Sequence, residues 1–355
     1  MKQSHLFRRS DTTGARAPRG TGPRRALPAA CRSAVLVLAG ALAAALVAAP
    51  ALAQADYPSK PVKFVVPVPP GGAADTMARM VASHLQAKLG QPFVVENKPG
   101  AGSSVGMDLV AKAPPDGYTI GMGNVAANAI NPAVRPKDFP YEPVKDFAAI
   151  SMVGVTPLIL VVNADKVPAK TLPEFVAYLK ANPGKLTYGS SGVGSSLQLG
   201  MELFLLRTGT KMVHVPYKGS APMVSDLIGG QVEASMDAAT TSLPHVKSGK
   251  LRALGVSTTE RAFFAPELPP IADVVPGFNV RPWHGVMAPA GTPAAIVDKL
   301  STEIQAFLRT PEAEEKLKAA GVVRVGSSAK EFAQAMSDDY ELYKKVVKDA
   351  GIKGE

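Results

Sequence analysis

Apolar positions along this chain alternate between the spacing of a strand and the spacing of a helix. Phe64–Gly72 starts as a short apolar run centred on Val65 and Val66 and ends in Pro-Pro-Gly-Gly, which reads as a buried strand stopped by a turn. From Ala73 to Leu89 the period lengthens. Met77, Met80, Val81, Leu85 and Leu89 share one helical face, and Gly90 stands where a left-handed C-terminal cap belongs. Pro92–Glu96 is a second strand and Ser103–Ala113 a second helix, with Val105, Leu109 and Val110 facing inward. Tyr118–Gly123 is a third strand, and Asn124–Asn131 follows its end, where open α/β sheets bind ligands. The alternation predicts a parallel α/β unit.

The middle of the chain repeats this pattern. Ile150–Val153 and Leu158–Val162 are apolar runs separated at Thr156-Pro157. Thr171 caps a helix to about Lys180, with Glu174 completing a capping box. Strands at Leu186–Gly189, Met212–Val215, Val232–Met236 and Leu251–Val256 alternate with helices at about Leu197–Leu206, Ala221–Ile228 and Leu243–Lys247. Val280–Ala288 is extended and holds Trp283, the one tryptophan. Thr292 then caps a helix with Pro293 at its first position. Ile296, Val297, Leu300, Ile304, Phe307 and Leu308 form its buried stripe, and amphipathic helices follow at Glu312–Ala320 and Ala329–Ala350.

The first 53 residues do not share this pattern. Seven arginines precede the apolar stretch Ala34–Ala49, and Ala51-Leu52-Ala53 is an A-x-A site. This is the layout of a secretory signal peptide cleaved after Ala53, with the Sec route favoured over the twin-arginine one. The leader changes the reading of charge. It holds Lys2 and the seven arginines against Asp11, so it carries +7 of the formal +10 and leaves +3 for the rest. The basic balance is therefore an address more than a nucleic-acid footprint. The single cysteine, Cys31, leaves with the leader, so the mature chain has no disulfide or thiol chemistry.

Two glycine turns carry the candidate chemistry. Pro70, Gly71 and Gly72 lie at the head of the first helix, with Asp75 in its first turn. Free N–H groups at a helix N-terminus, beside a turn without side chains, form a pocket for an anion. Asp75 either answers the helix dipole or contacts a ligand's amine, hydroxyl or bridging water. The second turn contains Ser190, Ser191, Gly192, Gly194, Ser195 and Ser196. It offers N–H and hydroxyl donors to a carboxylate, or it is a surface loop with a serine cap. It lacks the Gly-Lys-Ser/Thr ending of a Walker A loop. Gly102-Ser103-Ser104-Val105-Gly106 matches the nucleophile-elbow pattern, with His214, His245 and His284 downstream. A serine-dependent α/β hydrolase using Ser104, or Ser191, is thus the alternative function. Its context is poor, because a loop with Pro99 separates the serine from the strand end. His84, His214, His245 and His284 are too scattered in sequence to suggest a metal site. Tyr217 and Asp237 have both structural and pocket readings.

Several segments resemble one known family. They are Tyr57-Pro58-Ser59-Lys60-Pro61, Pro69-Pro70-Gly71-Gly72 with Asp75, and Val95–Gly102. Pro115-Asp116-Gly117-Tyr118-Thr119, Asn131-Pro132, Tyr188–Gly192, His214–Gly219 and Gly249–Leu254 follow in the same order. The chain over Tyr57–Lys353 resembles the Bug family of periplasmic solute-binding proteins, the TctC-like receptors of tripartite tricarboxylate transporters. The resemblance implies a two-lobed periplasmic-binding-protein-like α/β fold of type II, with mostly parallel sheets flanked by helices and the ligand between the lobes. Lobe one would be 55–156 plus 281–355, and lobe two 157–280. It implies no catalysis and no cofactor. The ligand would be an organic di- or tricarboxylate held by main-chain N–H groups and ordered water. The partners would be the transporter's membrane components or a sensor kinase ectodomain, and the protein a monomer. Matched by position, the ligand residues are Pro70, Gly71, Gly72 and Asp75 in one turn and Ser190, Ser191, Gly192, Gly194, Ser195 and Ser196 in the other. Asn124, Ala126, Tyr217 and Asp237 supply the remaining walls. Three positions depart from the family's habit: Ser103-Ser104 after Gly102, Ala238 after Asp237, and His284 after Trp283. The last two are expected near the cleft.

Overall fold

The structure is a computed structural model that describes residues 57–137 and 139–353. The leader lies outside the described residues. Two sheets organise the chain. The first contains β1 (Val62–Val66), β2 (Phe93–Asn97), β3 (Thr119–Asn124), β4 (Phe147–Val155), β10 (Trp283–Pro289) and β11 (Val323–Arg324), in the order β11-β4-β10-β3-β1-β2. The second contains β5 (Leu158–Asn163), β6 (Thr187–Ser190), β7 (Val213–Pro216), β8 (Ala234–Ala238) and β9 (Leu251–Val256), in the order β7-β6-β8-β5-β9. The helices are α1 (Ala73–Leu89), α2 (Ser104–Ala111), α3 (Asn131–Val134), α4 (Leu172–Ala181), α5 (Ser196–Thr208), α6 (Ser220–Ile228), α7 (Ala239–Lys247), α8 (Ala294–Leu308), α9 (Pro311–Ala319) and α10 (Ala329–Ala350). A π-helical turn at Ala126–Ile130 leads into α3.

The sheets are mixed rather than mostly parallel. β2, β1 and β3 run parallel, as do β7, β6 and β8. β10, however, returns late in the chain and inserts antiparallel between β3 and β4, and β5 lies antiparallel between β8 and β9. A strand that returns from the second sheet has no helical crossover to reverse its direction, so it pairs antiparallel.

α1 is as predicted. Met77, Met80, Val81 and Leu85 are buried, and Gly90 adopts the left-handed conformation with φ 73°. α2 is turned differently from its apolar pattern. Met107 and Val110 face the core, while Val105 and Leu109 are exposed. The cause is Gly106: a Cβ there would stand 2.8 Å from the Lys98 carbonyl and from Pro67. That close approach fixes which side of the helix goes inward. At α8 the cap is Pro293 rather than Thr292, whose hydroxyl donates to the Pro289 carbonyl at 2.7 Å.

The chain crosses between sheets at Thr156-Pro157 and again at 257–282. The Thr156 N–H donates to the Pro282 carbonyl at 2.8 Å. Ser257 clamps the same place, accepting from the Leu158 N–H at 2.9 Å and donating to the Val280 carbonyl at 2.7 Å. The two crossings are thus tied side by side. Across the opening, Asn131 donates to the Gly102 carbonyl at 2.9 Å and lies against Gly194 of the other half, where a Cβ would stand 2.5 Å from its Oδ1.

Candidate ligand-binding site

A cavity of about 560 Å³ opens between the two sheets, beside the two crossings. The first sheet's half lines it with Val68, Pro69, Pro70, Gly72, Ala73, Ala74, Ser103, Asn124, Val125 and Ala126. The second contributes Leu158, Ser196, Leu197 and Ala238, the crossings contribute Thr156 and Pro282, and β10 of the first sheet adds Trp283 and His284. No Lys, Arg, Asp or Glu is among these described lining residues. The walls are largely apolar, with Ser103, Asn124, Thr156, Ser196 and His284 as their polar residues, and helix starts add main-chain donors. α1 begins at Gly72 and α7 at Ala238, neither with a side-chain cap. α5 begins at Ser196, where the Ser195 hydroxyl accepts from the Gln198 N–H. Uncapped first-turn N–H groups carry the positive end of the helix dipole. Helix starts from both halves therefore face one cavity, an arrangement suited to an anion with an apolar body.

Of the predicted residues, Pro70, Gly72, Asn124, Ala126 and Ser196 line this cavity, and Gly71, Asp75, Ser190, Ser191, Gly192, Gly194, Ser195, Tyr217 and Asp237 do not. Most of the latter hold its walls in place. Asp75 is buried, and its carboxylate accepts from the Gly71 N–H at 3.0 Å, Arg79 Nε at 2.9 Å and Asn97 Nδ2 at 2.9 Å. Burial alone would raise its pKa, but these donors, Arg79 foremost, hold it below the usual carboxylate value. Asp75 thereby braces the first glycine turn. Asp237 is wholly buried and accepts from the hydroxyls of Ser220, Thr241 and Ser242. It ties the start of α6 to α7. Tyr217 donates to Asp226 at 2.8 Å. Burial, and then Asp226, push its phenol up to about 12.

The second turn is braced by a relay. The Gly194 N–H donates to Gln198 Oε1 at 2.8 Å, which fixes the amide's orientation. Gln198 Nε2 then donates to His214 Nδ1 at 3.2 Å, so the ring proton sits on Nε2 and points at Ser190 Oγ, 2.7 Å away. Burial lowers the His214 pKa to about 4. The ring donates to Ser190 and cannot take its proton, so this pair is not a nucleophile and base. Ser104 Oγ donates to the Ala101 carbonyl at 2.8 Å, with no histidine bonded to it. Among the described residues no cluster of three or more His, Cys, Asp or Glu side chains could hold a metal. None of the described helices is long and apolar enough to cross a membrane.

The residues missed from sequence are mainly the apolar walls: Val68, Pro69, Leu158, Leu197 and Pro282. Ala238 and His284, the two departures expected near the cleft, do line it.

Residues 77–352 match the family model described as "Tripartite tricarboxylate transporter family receptor". The protein BugT of Bordetella pertussis is 38% identical over 314 residues, covering 88% of this chain and 95% of that protein. Among solved structures, Rpa4515 of R. palustris with adipate is 36% identical with a TM-score of 0.71, covering 84% of this chain and 99% of that one. The periplasmic binding protein BugD is 33% identical with a TM-score of 0.68, covering 84% of this chain and 100% of that one.

Proposed function

The chain belongs to the tripartite tricarboxylate transporter receptor family, and from that premise we propose that it captures a small organic carboxylate in the cleft and delivers it to such a transporter. It is a binding protein of the periplasmic type and not an enzyme. The observation that carries the proposal is the convergence of helix starts from both halves, α1 on one side and α5 and α7 on the other, on a cavity without a charged side chain. A dicarboxylate fits this best. One carboxylate rests on the Ala73–Ala74 N–H groups and the other on those of Ser196–Leu197, with its carbon chain against Pro69, Pro70 and Leu158. The related Rpa4515 was solved with adipate, a dicarboxylate with an apolar chain. A tricarboxylate would bring a third charge to walls with no cation to meet it. The two sheets are the cores of the two lobes, with bounds at 55–156 plus 281–355 and 157–280. The hinge at Thr156 and Pro282 lets the lobes close on the ligand, and closure is favoured only by contacts absent from the open state. The leader is cleaved after Ala53 and the mature chain works as an exported monomer, meeting the transporter's membrane components or a sensor kinase ectodomain.

The test is thermal unfolding of the leaderless protein against mono-, di- and tricarboxylates, with mass spectrometry of any co-purified acid. A ligand at about 100 times its Kd adds roughly 2.7 kcal/mol. A clear upward shift with adipate or a similar dicarboxylate, absent with its diamide, supports the reading. No shift with any acid at millimolar concentration overturns it.

A further inference from the structure

The helix starts account for carboxylates, but two polar groups in the cavity wall have no partner. His284 Nδ1 and Thr156 Oγ1 are both buried without a hydrogen-bond partner, and both residues line the cavity. Buried polar atoms without partners are rare in native proteins, and each calls for an explanation. The other polar walls offer a contrast. Asn124 Oδ1 accepts from the Ala127 N–H at 2.9 Å, and its amide donates to Ser103 Oγ at 3.2 Å.

Sheet register places the two unpartnered groups together. His284 on β10 stands opposite Gly154 on β4, and the Thr156 N–H bonds to the Pro282 carbonyl two residues away. Thr156 and His284 are therefore diagonal neighbours on one face of an antiparallel pair. Val286 and Ala288 belong to the same buried apolar cluster as Ala74 and Met77 of α1. The pair lines the cavity beside Pro282, with the first residues of α1, Ala73 and Ala74, also in its wall.

We propose that His284 and Thr156 form a subsite that binds an uncharged oxygen of the ligand, a hydroxyl group, and so select a hydroxy-substituted carboxylate over its unsubstituted parent. A neutral imidazole offers one donor and one acceptor, and a threonine hydroxyl offers both. A ligand hydroxyl, which also donates and accepts, satisfies the two together. Burial lowers the His284 pKa to about 4, which keeps the ring neutral at physiological pH. A site built to hydrogen-bond a hydroxyl discriminates strongly against an analogue lacking it, because its buried polar atoms are then left unpaired.

The subsite rests on the carboxylate-receptor reading, and the experiment separates the two. Kd values are measured calorimetrically for acids paired by one hydroxyl: succinate and malate, adipate and 3-hydroxyadipate, benzoate and 3-hydroxybenzoate. The native chain is expected to prefer the hydroxylated member of at least one pair by tenfold or more. In His284→Phe and in Thr156→Val that ratio falls to near one, whatever the absolute affinity. His284→Gln, which keeps a donor and an acceptor, restores part of it. Thermal unfolding of each ligand-free variant confirms folding. Acids that bind with no hydroxyl preference, or a preference that survives both substitutions, overturn the subsite and leave the receptor reading intact. Failure of every acid to bind the native chain overturns both.

Discussion

Replacing Asp75 with alanine separates its two roles, as a ligand contact or as a brace for the first glycine turn. The carboxylate is buried and accepts three hydrogen bonds, from the Gly71 N–H, Arg79 Nε and Asn97 Nδ2. A hydrogen bond to a charged group contributes roughly 1.5–3 kcal/mol. The sum must be discounted, because the Arg79 side chain is 52% exposed and exposed pairs contribute at most about 1 kcal/mol. Gly71 is also exposed and can turn its N–H to water. That leaves about 2–3 kcal/mol for Asp75→Ala, a fall in Tm of about 3–5 °C for a unit of roughly 300 residues. Asp75→Asn should cost nearly as much, since every partner is a donor and one amide end must face a donor. Because the folded pKa of Asp75 lies below its unfolded value, its contribution is present above about pH 4 and is lost as pH falls through the folded pKa. The variant's deficit therefore narrows in acid. Urea unfolding at pH 7 and pH 3, with carboxylate titrations alongside, is the assay. Loss of stability with weakened binding supports the brace. Unchanged stability together with tighter carboxylate binding would refute it and place the Asp75 charge against the ligand.

The remaining predictions concern other parts of the same machinery. Gly194→Ala places a Cβ 2.5 Å from Asn131 Oδ1 at φ 74°, whereas Gly209→Ala at φ 65° meets nothing within 4 Å. Both lose about 1–2 kcal/mol to left-handed strain, but only Gly194→Ala should weaken ligand binding, by tenfold or more in calorimetry. Burial above all pushes Asp339 up to about 6, against the opposing pull of Arg281 and of the hydrogen bond from Trp283. A carboxyl with a raised folded pKa destabilises the fold at high pH, and the cost disappears as pH falls below the unfolded value. Asp339→Asn should thus gain roughly 2–3 kcal/mol at pH 8 and nothing at pH 3.5, measured by urea unfolding. His214 should stay neutral down to about pH 5 with its proton on Nε2, read from ring ¹⁵N shifts. A proton on Nδ1 would leave Nε2 free to accept from Ser190 and revive that serine as a nucleophile.

Local features of the chain were legible and distant ones less so. The strand, turn and helix at 62–89 depend on neighbours in sequence, and the apolar face and Gly90 cap came out as predicted. The facing of α2 depends on contact with Pro67 and Lys98, so its apolar pattern misled for Val105 and Leu109. The same limit governs the site. Both glycine turns are legible in the sequence, but whether Asp75, Ser190 or Asp237 faces a ligand depends on donors elsewhere in the chain. Asn97, His214 and Ser220 claim those side chains for the scaffold. Thr156 and His284 are diagonal neighbours only because β10 returns antiparallel to β4, a pairing that the β-α-β alternation does not suggest.

A crystal structure of the leaderless protein with its highest-affinity acid bound would test the central claim most directly. The account predicts one carboxylate within hydrogen-bonding distance of the Ala73 and Ala74 N–H groups, another polar end at those of Ser196 and Leu197, and no lysine or arginine touching the ligand. An acid bound outside this cavity, or held in it by a cationic side chain, would contradict it.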